Sequence, residues 1–197
     1  AQGDATLEGA VYELIAAEDI FNKAKTKKIY SKGDVVATRT TDKNGNMKSI
    51  TDLPLGFYQL KERAASEGYL LDKNIYDIHC DYKDQNTQVI TRSAKSLETV
   101  KKQAFQIIKV STDESEESEL LAGAEFTVKL TSEVDKVGWD NAKTYDVLTT
   151  DKKGYAKSIE LPYGTYTIKE TKIPDNVMPV PDFTVVIDKD SREPQTW

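Results

Sequence analysis

Short runs of alternating apolar and polar residues, bounded by Gly, Pro, Asn and Asp, make up most of the chain. They predict β-strands, because successive side chains of a strand point to opposite faces. Tyr58, Leu60 and Glu62 fall on one face of such a run. The segment Tyr76-Asp77-Ile78-His79-Cys80-Asp81-Tyr82 alternates over most of its length, and Phe183-Thr184-Val185-Val186-Ile187 reads as a β-branched strand. Asp42-Lys43-Asn44-Gly45 and Asp151-Lys152-Lys153-Gly154 read as hairpin turns, with glycine where the backbone needs a positive φ.

The pattern is written twice. Leu7-Glu8-Gly9-Ala10-Val11-Tyr12 returns as Leu121-Ala122-Gly123-Ala124-Glu125-Phe126, and Thr40-Thr41-Asp42-Lys43-Asn44-Gly45 as Thr149-Thr150-Asp151-Lys152-Lys153-Gly154. Leu53-Pro54-Leu55-Gly56-Phe57-Tyr58-Gln59-Leu60-Lys61-Glu62 then returns as Leu161-Pro162-Tyr163-Gly164-Thr165-Tyr166-Thr167-Ile168-Lys169-Glu170. Three matches in the same order mean a duplication, so the 197 residues divide into two units of about 100 each. The expected division is residues 1–103 and 104–197, with a connection near Ser96 to Gln103. Several short strands per unit with regular turns point to an all-β sandwich for each. Glu18 to Lys32 and Ser132 to Thr144 are polar and differ between the units, and are expected as surface loops or a short helix.

Composition narrows the function. A hydrophobic share of 38% is enough for a core, while the net charge of -6 and a pI near 5.0 oppose nucleic acid and anionic lipid as partners. The basic run Lys25 to Lys28 and the acidic run Asp113 to Glu119 read as solvated loops, the latter without the spacing of a calcium loop. The single cysteine, Cys80, rules out an intrachain disulfide and shares a strand face with Ile78 and Tyr82, as a small buried hydrophobe. His79 stands between Asp77 and Asp81, but alternate residues of one strand do not close a coordination sphere, so no metal or cofactor is expected. There is no run of eighteen apolar residues, no signal peptide and no sorting signal, which leaves an intracellular protein or a piece of a longer one. Neither Gly-x-Ser-x-Gly nor a phosphate-binding glycine loop is present, so no conventional enzyme is expected.

The combination Leu-x-Gly-Ala-x-Phe/Tyr, Thr-Thr-Asp-x-x-Gly and Leu-Pro-x-Gly-x-Tyr-x-x-Lys-Glu resembles the B-type repeats of collagen adhesins, also seen in SpaA-type pilins. The resemblance covers most of both halves. It implies two tandem prealbumin-like, or inverse immunoglobulin-like, β-sandwiches outside the cell, on a wall-anchored protein of a Gram-positive bacterium. It further implies a stalk or spacer role beside adjacent repeat domains of the same polypeptide, without membrane insertion. An alternative role is adhesion to a host matrix protein or glycan through the loops, with Trp139 as a candidate contact. Hydrolases on the prealbumin-like fold use several histidines, and this chain has one.

Many members of the family carry a self-made amide between a first-strand lysine and a last-strand Asn or Asp, assisted by a buried glutamate. By resemblance, Lys109 is the reactive lysine and Glu170 the assisting glutamate, with Glu62 at the equivalent place in the first unit. Strand alternation agrees, since Lys109 shares a face with Phe105 and Ile107, and Glu170 with Tyr166 and Ile168. An apolar interior favours the neutral forms of an amine and a carboxyl, which suits attack on an amide carbonyl. The other readings of this pair are a buried salt bridge, or strand residues whose heads reach solvent at the sandwich edge. The first strand of unit one is expected upstream of Ala1 and the acceptor strand of unit two beyond Trp197. Asp182 and Asp188 are the nearest late-strand acids, and Glu98 or Thr99 stands where unit one should carry its acceptor. Cross-linking of the first unit is therefore not expected.

Overall fold

The structure, a computed structural model, describes residues 2–81, 98–111 and 119–197, with the backbone alone at 111, 119 and 120. It divides into two compact units, Thr6–Thr99, and Val100–Trp197 together with Ala1–Ala5.

Each unit contains the same four-stranded antiparallel sheet. In the first its order is Val35–Thr40, Val11–Ala16, Gly56–Ala64, Ile75–Cys80, and in the second Thr144–Thr149, Glu125–Leu130, Gly164–Lys172, Phe183–Ile187. Even the irregularities repeat. The pairing shifts between Val11 and Tyr12 against the third strand of the sheet, and between Glu125 and Phe126 at the same place in the second unit. Alternation turns Tyr12, Leu14, Tyr58 and Leu60 inward in one unit and Phe126, Val128, Tyr166 and Ile168 inward in the other.

The second unit has a three-stranded opposite layer. Phe105–Ile108 lies between Tyr155–Lys157, to which it is antiparallel, and Gln195–Thr196, to which it is parallel. Phe105, Ile107, Ala156 and Leu161 from this side close a core with Val185 and Ile187. In the first unit no strand among the described residues stands where Phe105–Ile108 stands in the second. Among the described residues its core is formed by one sheet plus Ala10 and Ile20, with Met47, Ile50 and Leu53 only half-buried against it.

The duplicated motifs have physical reasons. Thr41 Oγ1 accepts from Ala10 N and donates to Leu7 O, and Thr150 Oγ1 does the same with Ala124 N and Leu121 O. Asp42 Oδ1 accepts from the amides of Asn44 and Asn46, and Asp151 Oδ1 from those of Lys153 and Tyr155, closing turns in which Gly45 and Gly154 hold φ of 79° and 66°. Tyr58 OH donates to Pro54 O and Tyr166 OH to Pro162 O, both at 2.6 Å. Burial first, then the neighbouring Cys80, Tyr30 and Glu18, push the Tyr58 phenol up to about 12, which keeps the donor protonated.

Two variable segments differ from each other. Between Glu18 and Lys32, where a loop or short helix was expected, a ribbon pairs Ile20–Phe21 with Lys28–Tyr30. Its turn is held by Asn22 Oδ1, which accepts from the amides of Thr26 and Lys27. Between Ser132 and Thr144 the chain makes the short helix Thr131–Val137, ended by Gly138, and then a loop. Residues 113–118 of the acidic run lie outside the described residues, as do residues 89–97 of the stretch from Val89 to Gln103 in which the last strand of unit one is expected. No helix among the described residues is long and apolar enough to cross a membrane.

Candidate functional site

Lys109 directly follows Phe105–Ile108, and its backbone is fixed on both sides. Its N–H donates to Gly154 O at 2.7 Å and its carbonyl accepts from Leu121 N at 3.2 Å. The Asp151–Gly154 turn therefore sits against the lysine backbone, so closely that a Cβ on Gly154 would lie 2.2 Å from Lys109 O. Glu170 faces inward from Gly164–Lys172, opposite Phe126. Lys109 Nζ donates to Glu170 Oε2 at 2.7 Å, with side-chain exposures of 5% and 1%. The ammonium also lies 5.9 Å from the centre of the Phe126 ring, and Glu170 Oε1 is buried with no partner.

An open groove of about 480 Å³ lies along this site, lined by Ile107, Lys109, Phe126, Val180, Phe183 and Trp197 among others. At its end the chain is already in the sandwich. Phe105 pairs with Gln195 and Gln106 with Thr196, Trp197 N donates to Gln106 O at 2.8 Å, and Ile108 N donates to Trp197 O at 3.1 Å. Parallel strands advance in step, so this register comes abreast of Lys109 two places after Trp197. Asp182 also lines this groove, yet Lys109 Nζ bonds Glu170 rather than either of the two acids considered as acceptors. Asp182 lies 3.9 Å from Lys169 and half its side chain is exposed, and Asp188 is exposed.

In the first unit Glu62 occupies the register of Glu170, opposite Tyr12, and is 1% exposed. Its Oε2 accepts from Asp72 N at 2.6 Å, while its Oε1 is buried without a partner. Glu98 Oε1 accepts from Tyr12 OH at 3.1 Å, and Glu98 Oε2 is likewise buried and unpartnered. Asp72, itself buried, accepts from Tyr76 OH. Burial is the main cause that raises the Glu62 carboxyl above its ordinary value. The Asp72 N–H bond opposes this, and the negative charges of Glu98 and Asp72 add to it. Among the described residues no cation pairs with Glu62. Alternation places Glu62 inward, but the role of Asp72 depends on the loop after Gly56–Ala64, and no motif marks it.

Trp139 is engaged by its own sandwich. Lys129 Nζ lies 4.7 Å and Lys169 Nζ 4.8 Å from the ring centre, and Lys129 Nζ donates to Trp139 O at 2.6 Å. His79 stacks on Phe57 at 3.9 Å between ring centres. Cys80 is half-buried rather than buried, because it lies on Ile75–Cys80 at the edge of its sheet. No group of three or more His, Cys, Asp or Glu side chains among the described residues is placed to hold a metal ion.

The profile of the SpaA prealbumin-like fold domain matches residues 1–95 and again residues 103–196. Among solved structures the chain is similar to the Bacillus anthracis TIE protein, at 28% identity with a TM-score of 0.62, over all of this chain and 31% of that one. It is also similar to the C-terminal fragment of the pilus adhesin SpaC from Lactobacillus rhamnosus GG, at 18% identity with a TM-score of 0.46, over 96% of this chain and 82% of that one. For GBS52, the minor pilin of Streptococcus agalactiae, the values are 17%, 0.39, 98% and 83%. No curated protein sequence is a significant match. Because the profile accounts for nearly every residue, in two successive copies, the chain belongs to the SpaA prealbumin-like fold domain family.

Proposed function

We propose that the chain is a structural module of a Gram-positive cell-surface protein or pilus, a spacer that grows by repetition, whose second sandwich closes through an amide between Lys109 and a residue of the strand that begins at Gln195. The observation that carries this reading is the buried contact of 2.7 Å between Lys109 and Glu170 beside that parallel strand. The names of similar solved proteins, a pilus adhesin and a minor pilin, support the setting at the cell surface. The natural partners are adjacent repeat units of the same polypeptide. Trp139, covered by two lysines, gives no support to binding of a host protein or glycan.

The chemistry follows from the geometry. Transfer of one proton from Lys109 Nζ to Glu170 Oε2 leaves two neutral groups, which an apolar surrounding favours over an ion pair. The Nζ lone pair attacks the side-chain amide carbon of an asparagine held at van der Waals distance, the neutral Glu170 gives its proton to the departing nitrogen, and the carboxylate so formed takes the surplus proton from Nζ. One C–N bond forms, one breaks and ammonia leaves. The reaction occurs once per molecule, so the module is not an enzyme with turnover.

Intact-mass spectrometry tests this on a polypeptide in which the strand beginning at Gln195 continues past Trp197. Attack on asparagine is expected to remove about 17 Da, and Lys109→Arg to restore the full mass. Full mass in the unsubstituted polypeptide overturns the cross-link.

A further inference from the structure

The first unit carries its densest positive charge on the ribbon in which Ile20–Phe21 pairs with Lys28–Tyr30. Residues 20–33 include Lys23, Lys25, Lys27, Lys28 and Lys32 and no acid, in a chain where 33 acidic residues outnumber 27 basic ones. All five lysines are exposed. The acids that border the segment are directed at backbone: Glu18 Oε1 accepts from Phe57 N, Asp19 Oδ1 from Lys32 N and Asp34 Oδ2 from Ser31 N. Among the described residues no carboxylate forms a salt bridge with any of the five ammoniums, whereas Lys102, Lys109 and Lys169 each have one.

The ribbon is held in place and has an open edge. Asn22 Oδ1 accepts from Thr26 N at 2.8 Å and from Lys27 N at 3.0 Å, and Asn22 N donates to Lys27 O at 2.9 Å, so the lysines stand on a fixed turn. Ile20 is buried and Tyr30 packs against the same core, which turns Phe21 and Ile29 outward, 43% and 41% exposed. Lys28–Tyr30 pairs with Ile20–Phe21 and with no other strand among the described residues, so its far edge presents backbone groups to a further strand. In the second unit the segment between the same two sheet strands forms the helix Thr131–Val137 instead, in which Glu133 and Asp135 offset Lys136.

We propose that this ribbon is a docking edge for an extended acidic polypeptide segment, whose backbone adds to Lys28–Tyr30 while its carboxylates meet the surrounding ammoniums and its apolar side chains cover Phe21 and Ile29. An open strand edge selects a polypeptide over other polyanions, because it asks for alternating N–H and C=O groups at strand spacing. The five cations select acidic segments among polypeptides, and attract them over a range set by salt. The inference is independent of the amide cross-link and of the spacer role.

A capped peptide of alternating glutamate and valine, titrated into the isotope-labelled chain and followed by NMR, tests the assignment. Saturable shifts are expected at the amides of Phe21, Ile29 and Tyr30, with those of Phe126 and Val128 unmoved. Affinity is expected to fall at least about 10-fold when the chain carries Lys23→Glu with Lys27→Glu, two exposed side chains that make no contact the ribbon depends on, and by a similar factor when glutamine replaces glutamate in the peptide. The peptide with every backbone amide N-methylated cannot add as a strand, and is expected to lose binding. The proposal is overturned if the ribbon amides show no saturable change, if the lysine substitutions leave affinity unaltered, or if the glutamine or N-methylated peptide binds as tightly as the parent. A sulfated oligosaccharide of equal charge that moves the same amides as strongly also overturns it, since charge alone then accounts for binding.

Discussion

Two glutamates at one register illustrate how far a single partner changes a buried carboxyl. Glu170 has Lys109, so removing it strands a buried ammonium. Glu170→Ala is expected to cost about 3–5 kcal/mol in the stability of the second unit, whereas Lys109→Met combined with Glu170→Leu recovers most of that loss. Denaturant titration of the three variants measures both effects. Among the described residues Glu62 has no cation beside it, and its carboxyl is raised chiefly by burial. The native state therefore binds that proton more tightly than the unfolded chain does. This contribution to stability is complete below the ordinary glutamate range and is lost as pH climbs through the raised value. The first unit should gain stability on acidification from neutral pH towards that range, and Glu62→Gln should flatten the dependence while stabilising the unit at neutral pH. Urea unfolding at several pH values reads the slope. The inward positions of Lys109 and Glu170 were legible because strand alternation is a local property. The environment of Glu62 was not, because Asp72 and Glu98 reach it from segments whose course no periodicity fixes.

Among the elements, the turn after each Thr-Thr-Asp motif looks identical in sequence and differs in consequence. At Gly45 an added Cβ would lie 3.4 Å from Leu7 Cβ, so Gly45→Ala should cost only the left-handed strain, about 1 kcal/mol. At Gly154 the same atom would strike Lys109 O, and Gly154→Ala should cost about 2 kcal/mol or more while displacing the lysine from Glu170. Thermal unfolding and the Lys109 side-chain NMR signals distinguish the two. Tyr166→Phe, which leaves Pro162 O without its donor, is expected to cost about 1 kcal/mol. The duplicated Thr, Asp and Tyr could be read as a pattern before their hydrogen bonds explained it. The ribbon through Ile20 and Tyr30 was not legible, since two paired residues on each side are too short for a recognisable alternation. Nor was the docking of Asp4, whose N–H donates to Tyr163 O and whose carboxylate accepts from Ser132 Oγ and Thr165 N, a set of contacts far apart in sequence.

At the scale of the whole chain, two units of one family have unequal interiors. Among the described residues the first unit closes its core mainly from one layer, while the second closes it from two. Calorimetry should show two transitions, the lower from residues 6–99. Glu170→Ala should move only the upper transition and Glu62→Gln only the lower, because each perturbation stays within its own unit. The duplication made the two units legible from sequence, whereas the difference between their cores was hidden because both carry the same inward-facing motifs.

The parallel pairing of Phe105–Ile108 with Gln195–Thr196 has a mechanical consequence. A pull applied at the entry of the first strand and the exit of the last draws neighbouring strands past each other. The bonds from Gln195 N to Ala104 O, Trp197 N to Gln106 O and Ile108 N to Trp197 O are then loaded in shear, and must fail together rather than unzip one at a time. A covalent tie at Lys109 would carry the force between those two strands directly and leave the remaining layers slack.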